Sequence, residues 1–280
     1  MQSSASPSDD RSPSSSEPKT LRAVNRRRFA SFRSIFALML REMQTTYGRS
    51  PGGYIWALLE PVAGIALLTI IFSIGFRAPP LGPDFAPFYA SGIVPFLFFT
   101  AVSTKVSQSI QFSRQLLAYP SVTFVDAILA RILVNTMTQA IVGYVVFTGV
   151  LVFYDMRGSL DFAAIILSFA MTAALATGVG TLNCFLILKF PVWQIIWAIL
   201  TRPLFLISCI FFLFDGIPQP YQDWLWFNPL VHVVGVMRSG FYASYDASYA
   251  SVAYVMAISM IGLVVGLLFL LRYHRDLLDR

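Results

Sequence analysis

One carboxylate sits inside an apolar run: Glu60, in the string WALLEPV, with Pro61 beside it to kink or open a helix. An ionisable group in such surroundings is a functional candidate that should face the interior of a helical bundle. A depth of about 9 Å also leaves it close enough to lipid headgroups or a neighbouring Arg for a purely structural role. Other apolar runs carry amides and aromatic side chains: Asn135, Gln139, Asn183 and Gln194, with Tyr144, Tyr154, Trp193 and Trp197. This mixture suits a route for sugar chains, because amides pair with hydroxyls and flat rings stack on the apolar faces of sugars without a fixed register. Ordinary helix packing and interfacial aromatic belts call for the same residues.

Catalytic constellations are missing. A P-loop needs a Lys preceded by Gly, and none of Lys19, Lys105 and Lys189 follows a glycine. The two histidines, His232 and His274, fall in different segments and make no zinc motif, and no G-x-S-x-G elbow occurs. Neither ATP hydrolysis nor a resident cofactor is expected of this polypeptide. Cys184 and Cys209 both fall in expected spans; if those spans meet at the turn Lys189-Phe190-Pro191, the thiols lie at depths roughly 20 Å apart and cannot bridge.

The elements that must position these groups follow from composition. Of 280 residues 56% are hydrophobic and 12% charged, against roughly a quarter charged in soluble domains. With a mean hydropathy of +0.68, the chain reads as an all-α polytopic membrane protein. About 20 apolar residues cross the hydrocarbon as a helix, since every backbone polar group must be satisfied within the segment. Six windows qualify: Tyr54 to Phe76, Phe88 to Thr104, Ile128 to Phe153, Phe162 to Leu188, Val192 to Phe214 and Val252 to Leu271.

Residues 1–24, rich in Ser, Pro and charge, have nothing with which to bury a core and are expected to form a disordered cytoplasmic tail. No apolar run follows early enough for a cleaved signal peptide. Over residues 25–47, Phe29, Phe32, Phe36, Met39, Met43 and Tyr47 recur at helical spacing, with Arg26, Arg27, Arg33 and Arg41 around them. This predicts an amphipathic helix, lying in the headgroup layer or packed on a protein partner; both can hold. GRSPGG then turns the chain into the bilayer. The net charge of +6 is concentrated in the first fifty residues, beside a span, which fits a membrane surface better than nucleic acid.

Orientation follows from the basic residues. Nine precede the first span; Lys105, Arg114, Arg131 and Lys189 lie in or beside the loops after spans two and four, and Arg272, Arg275 and Arg280 close the chain. Arg77, Arg157 and Arg238 fall opposite. Six spans with both termini cytoplasmic place this charge correctly, whereas a seventh at WLWFNPLVHVVGVMRSGFY would export the basic end. That segment, within residues 217–245, is therefore expected to enter from the outer side and return: Asn228-Pro229 breaks the backbone, Trp224 and Trp226 suit the interface, and His232 and Arg238 need not enter hydrocarbon.

Three strings in order, YGRSPGGYIWALLEP, LLAYPSVTFVDAILAR and NPLVHVVGVMRSGFYASYDASYAS, resemble the permease subunit of ABC type 2 exporters, most of all its capsule polysaccharide export branch. The resemblance runs from about residue 25 to the end. It implies a homodimer paired with two separate ATPase subunits that carry ATP and Mg. It implies a coupling helix over Gln111 to Asp126 that docks in the ATPase, with Gln111, Arg114, Leu116, Leu117, Tyr119, Pro120, Asp126 and Arg131 as the coupling residues. A short rigid element of this kind can carry a domain rotation into the neighbouring spans.

The resemblance further implies a re-entrant outer pair of helices with Asn228, Pro229, His232 and Arg238 in its motif. Gly235 stands where many relatives carry an acid, so Arg238 gains no partner there. The implied cargo is a lipid-linked polysaccharide crossing the bacterial inner membrane, with periplasmic and outer-membrane export components as further partners. Glu60, Asn135, Gln139, Tyr144, Asn183, Trp193, Gln194 and Trp197 are candidates for its path, and Arg33, Arg41 and Arg49 for gathering an anionic headgroup. An exporter of O-antigen, teichoic acid or a small lipophilic compound, and a non-transporting membrane enzyme or scaffold, are the alternatives.

Overall fold

Helix α3 (Phe85–Ser107) is the element around which the others are arranged in the computed structural model, which describes residues 30–47, 53–117, 123–154 and 160–278. Its buried side chains include Phe88, Tyr89, Phe96, Phe98 and Phe99, and it touches α2 (Gly53–Gly75), α5 (Phe124–Phe153), α6 (Phe162–Lys189) and α9 (Pro229–Phe241). The remaining helices are α1 (Ala30–Tyr47), α4 (Ser109–Leu117), α7 (Val192–Leu206), α8 (Tyr221–Trp226) and α10 (Val252–Leu278), and no strand occurs among the described residues. The expected tail, Arg49, Tyr119, Pro120 and Arg157 lie outside them.

Local sequence explains where the helices begin. Thr123 Oγ1 accepts from the Asp126 N–H at 3.2 Å while Asp126 Oδ2 accepts from the Thr123 N–H at 3.0 Å, a reciprocal cap that opens α5. Asp161 Oδ1 takes the Ala163 and Ala164 N–H groups at the start of α6, and Asn228 caps α9 ahead of Pro229, whose missing N–H is harmless there. Asp126, expected in a coupling loop, is thus part of the α5 cap. The stretch from Gln111 to Leu117, expected in the same loop, is helical and belongs to α4.

Packing between spans relies on small residues and rings. A Cβ on Gly178 of α6 would run into the Ser259 backbone of α10, and one on Gly266 would lie 2.7 Å from the Leu182 nitrogen. The two backbones therefore touch, the close crossing by which helices associate where lipid competes for every apolar surface. On the other flank of α3, Phe72, Tyr89 and Phe211 stack with centroids 5.3 to 6.4 Å apart.

Among the described residues five helices are long and apolar enough to cross a membrane, by length and composition; these lie within α2, α3 with α4, α5, α6 and α10. The expected fifth span, Val192 to Phe214, is corrected: α7 ends at Leu206 after 15 residues, about 22 Å of rise. Pro203 removes one ladder hydrogen bond, and Cys209 adopts a left-handed φ of 57° that no helix accommodates. Cys209 accordingly lies beyond the helix; both cysteines are buried and free.

Gly178→Val is expected to lower the detergent melting temperature by several degrees, the equivalent of about 1–3 kcal/mol of overpacking. Gly64→Ala, with nothing within 4 Å, should leave it unchanged. Equal melting curves would contradict the close α6/α10 crossing.

Candidate functional site

At one end of the bundle three helices converge on a single ring. Helix α1 has two faces: Phe32, Phe36 and Met43 point outward, while Leu38 and Glu42, one turn apart, are buried against α5. Glu42 Oε2 accepts from Arg131 Nε of α5 at 2.8 Å, and both side chains are at most 5% exposed. Arg131 Nη1 donates to the Lys105 carbonyl in the last turn of α3 at 2.8 Å. Asn135, one turn along α5, donates to the Arg131 carbonyl at 2.8 Å. The Arg131 guanidinium lies 4.1 Å from the centre of the Phe112 ring on α4, and Arg41 lies 5.1 Å from the same ring.

Between α3 and α7 opens a cleft of about 570 Å³, lined among others by Phe96, Thr104, Gln108, Gln194, Trp197, Thr201, Arg202 and Phe205. No side chain of α7 is buried, so this helix is held mainly at its ends. Trp193 Nε1 donates to Asn183 Oδ1 of α6 at 2.9 Å and pins its start. Arg202 is exposed in the cleft, and no hydrogen bond or ion pair joins it to another of the described residues.

The other end of the bundle is organised by Arg238 of α9, which is fully buried. Its Nη1 and Nη2 donate to the carbonyls of Phe212 and Ile210, both at 2.9 Å, and the guanidinium lies 4.2 Å from the centre of the Phe88 ring. Desolvation pulls its pKa below the ordinary arginine value. Asn228 Nδ2 donates to the Ile207 carbonyl at 3.1 Å, so the N-cap of α9 and Arg238 within it satisfy backbone that lies past the end of α7. A Cβ at Gly235 would collide with the Tyr249 hydroxyl, so any side chain at that position would have to displace the Tyr249 ring.

His232 bridges three elements. Its Nδ1 accepts from the Ser251 N–H at 3.1 Å, which leaves Nε2–H to donate to the Trp226 carbonyl at 2.8 Å. This requires the neutral ring, and desolvation lowers its pKa in the same direction.

The residues singled out in the sequence are distributed as follows. Asn135 and Arg131 meet at the Glu42 cluster; Gln194 and Trp197 share the cleft, with Asn183 and Trp193 at its edge; Asn228, Pro229, His232 and Arg238 gather at the α8/α9 end. Glu60 is exposed on α2, not turned into the bundle, and Tyr144 is 71% exposed. Gln139 is half-buried, Arg33, Gln111 and Arg114 are exposed, and Leu116 and Leu117 are half-buried. Two residues escaped the sequence reading, Glu42 and Arg202. Glu42 was legible as an acid at the i+4 position from Leu38, and Arg202 as a cation well inside a supposed span.

The described residues thus form a helical bundle with five candidate spans, a short helix α4 at one end and a cleft along α7. The chain belongs to the ABC-2 type transporter family, whose model matches residues 33–242. It is 32% identical over 236 residues to the polysialic acid transport protein KpsM of Escherichia coli, covering 84% of this chain and 91% of that protein. It is 24% identical over 244 residues to the capsule polysaccharide export inner-membrane protein CtrC of Neisseria meningitidis serogroup A, covering 87% and 92%. To the capsule polysaccharide export inner-membrane protein BexB of Haemophilus influenzae it is 26% identical over 246 residues, again 87% and 92%.

Arg238→Met strands two buried carbonyls and is expected to cost about 2–4 kcal/mol of stability, read as a lower melting temperature. The lowered pKa of His232 means the unfolded chain binds more protons, so its contribution is fully present above the ordinary value of about 6.5 and is lost as pH falls from there towards the folded value. The melting temperature should therefore drop more between pH 7 and 5 in the wild type than in His232→Gln, whose amide can make both contacts unprotonated. An identical drop in both proteins would remove the histidine from the account.

Proposed function

We propose that this chain is the inner-membrane permease of an ATP-driven exporter of lipid-linked acidic capsular or related polysaccharide. Membership of the ABC-2 family and the named roles of its relatives support the class. The observation that carries the path is the α3/α7 cleft, where Thr104, Ser107 and Gln108 on the α3 side face Gln194, Trp197, Thr201 and an Arg202 with no partner among the described residues. An arginine without a partner is costly at membrane depth and is accounted for if anionic groups pass it. The amides and Trp197 supply hydrogen bonds and a stacking face for sugar units.

In this reading α7 and the segment 207–213 together make the sixth crossing, so that both termini are cytoplasmic, and α8 with α9 forms a hairpin returning to the outer surface. The outward Phe and Met side chains of α1 lie in the headgroup layer, with Arg33 and Arg49 near the cytoplasmic mouth. Two copies pair with two ATPase subunits that hold ATP and Mg. Helix α4, with Gln111 and Arg114 outward and the Leu116–Leu117 end towards Tyr119 and Pro120, docks on the ATPase. Periplasmic and outer-membrane components receive the polymer.

The test is transport by the permease and ATPase reconstituted in vesicles. Arg202→Gln should reduce export of an acidic polymer roughly tenfold, the loss of one charge-assisted contact, while ATPase binding persists and a neutral polymer is unaffected. Wild-type export of the acidic polymer by this variant would remove the cleft from the path. A permease that neither retains an ATPase nor raises its ATP turnover would be a scaffold instead.

A further inference from the structure

Helix α4 packs on α3, α5 and α6; towards α1 it presents Phe112, whose ring has Arg131 at 4.1 Å and Arg41 at 5.1 Å. Arg131 is at the same time fixed to α1 by Glu42 at 2.8 Å and to α3 through the Lys105 carbonyl at 2.8 Å. Four helices therefore meet at one guanidinium. Helix α1 lies along α5, with Leu38 and Glu42 as its buried side chains among the described residues.

A buried ion pair is a poor way to add stability, because desolvating both charges offsets most of their attraction, and apolar residues of similar volume do as well or better. What the pair supplies is direction. The Arg131 fork is planar, and with Nε on Glu42 and Nη1 on the Lys105 carbonyl its plane is set. The Phe112 ring lies against that plane. Displacing α4 must then either drag the guanidinium, and Glu42 with it, or break a contact buried away from water.

We infer that Glu42, Arg131 and Phe112 form a transmission joint, through which a displacement of α4 is delivered to α1 as well as to α3 and α5. Glu42 and Arg131 are positioning residues of the transport cycle in this assignment, not ligands of the cargo. The inference rests on the reading of α4 as the ATPase-facing helix. It gives α1, whose outward aromatic face suits the headgroup layer, a mechanical part: each stroke on α4 shifts the helix at the membrane surface beside the entrance.

The experiment uses the reconstituted permease–ATPase complex and measures polymer exported per ATP hydrolysed, together with the melting temperature of each complex. Glu42→Gln and Phe112→Leu are expected to leave the ATPase bound and its turnover within about twofold of wild type, while the export-to-ATP ratio falls about tenfold. The exchange Glu42→Arg with Arg131→Glu should recover part of that ratio; Arg131→Glu alone should not. An unchanged ratio in Glu42→Gln and Phe112→Leu overturns the joint. So does a proportional fall of export and ATP turnover that tracks the melting temperature, since that is what a merely structural pair would give. Failure of the wild-type chain to retain or stimulate an ATPase would instead overturn the functional reading beneath it.

Discussion

Backbone carbonyls that a helix no longer satisfies set the form of this molecule. Where α7 stops, the carbonyls of Ile207, Ile210 and Phe212 have no ladder partner and are taken by side chains instead. These are Asn228 and Arg238, so the end of one helix depends on side chains from another some thirty residues on. Irregular backbone is tolerated at such a place only when protein covers it, and α8, α9 and the Phe88 ring provide the cover. The short α7, the hairpin of α8 and α9 and the open cleft beside α3 all follow from that one accommodation.

The two ends of the bundle handle buried charge differently. Arg238 is neutralised by no carboxylate among the described residues; carbonyl dipoles and a ring face spread its charge, an arrangement that holds fixed backbone in place. Arg131 combines one carbonyl and one ring with a full countercharge on a helix of its own. The first arrangement fastens a segment to its neighbours, and the second ties four helices to one charge. Between them lie the glycine crossing of α6 with α10 and the ring contact of Phe72 with Tyr89 between α2 and α3, which carry no charge.

Much of this was legible in the sequence because the physics is local. The runs at α2, α3, α5, α6 and α10 announce themselves by length and hydropathy. Asn228-Pro229 marks the break between α8 and α9 by cap and ring chemistry, and the string itself placed the chain in its family. The end of α7 was only partly legible: Val192 to Phe214 is apolar apart from a few residues, among them Gln194, Arg202 and Pro203, and the side chains that satisfy the backbone beyond Leu206 come from far along the chain. Glu60 shows the complementary limit: its sequence context places it within a span but not which face it takes. Glu42 hid among the polar residues of an amphipathic helix, where an acid is ordinarily solvated.

Arg202 and Arg238 show how far residue type falls short of role. Each sits in a largely apolar stretch close to a helix-breaking or flexible residue, Pro203 beside Arg202 and Gly240 two residues after Arg238, so composition treats them alike. Arg238 is enclosed, with two carbonyls and a ring to absorb its charge, and has nothing left to offer a ligand beyond a buried Nε. Arg202 is exposed in a cleft with hydroxyls, amides and an indole but no acid to meet its charge. Within the proposed export function, an anionic group passing along α7 would meet at Arg202 a charge that no carboxylate of the cleft balances, whereas Arg238 has its charge already spread over carbonyls and a ring.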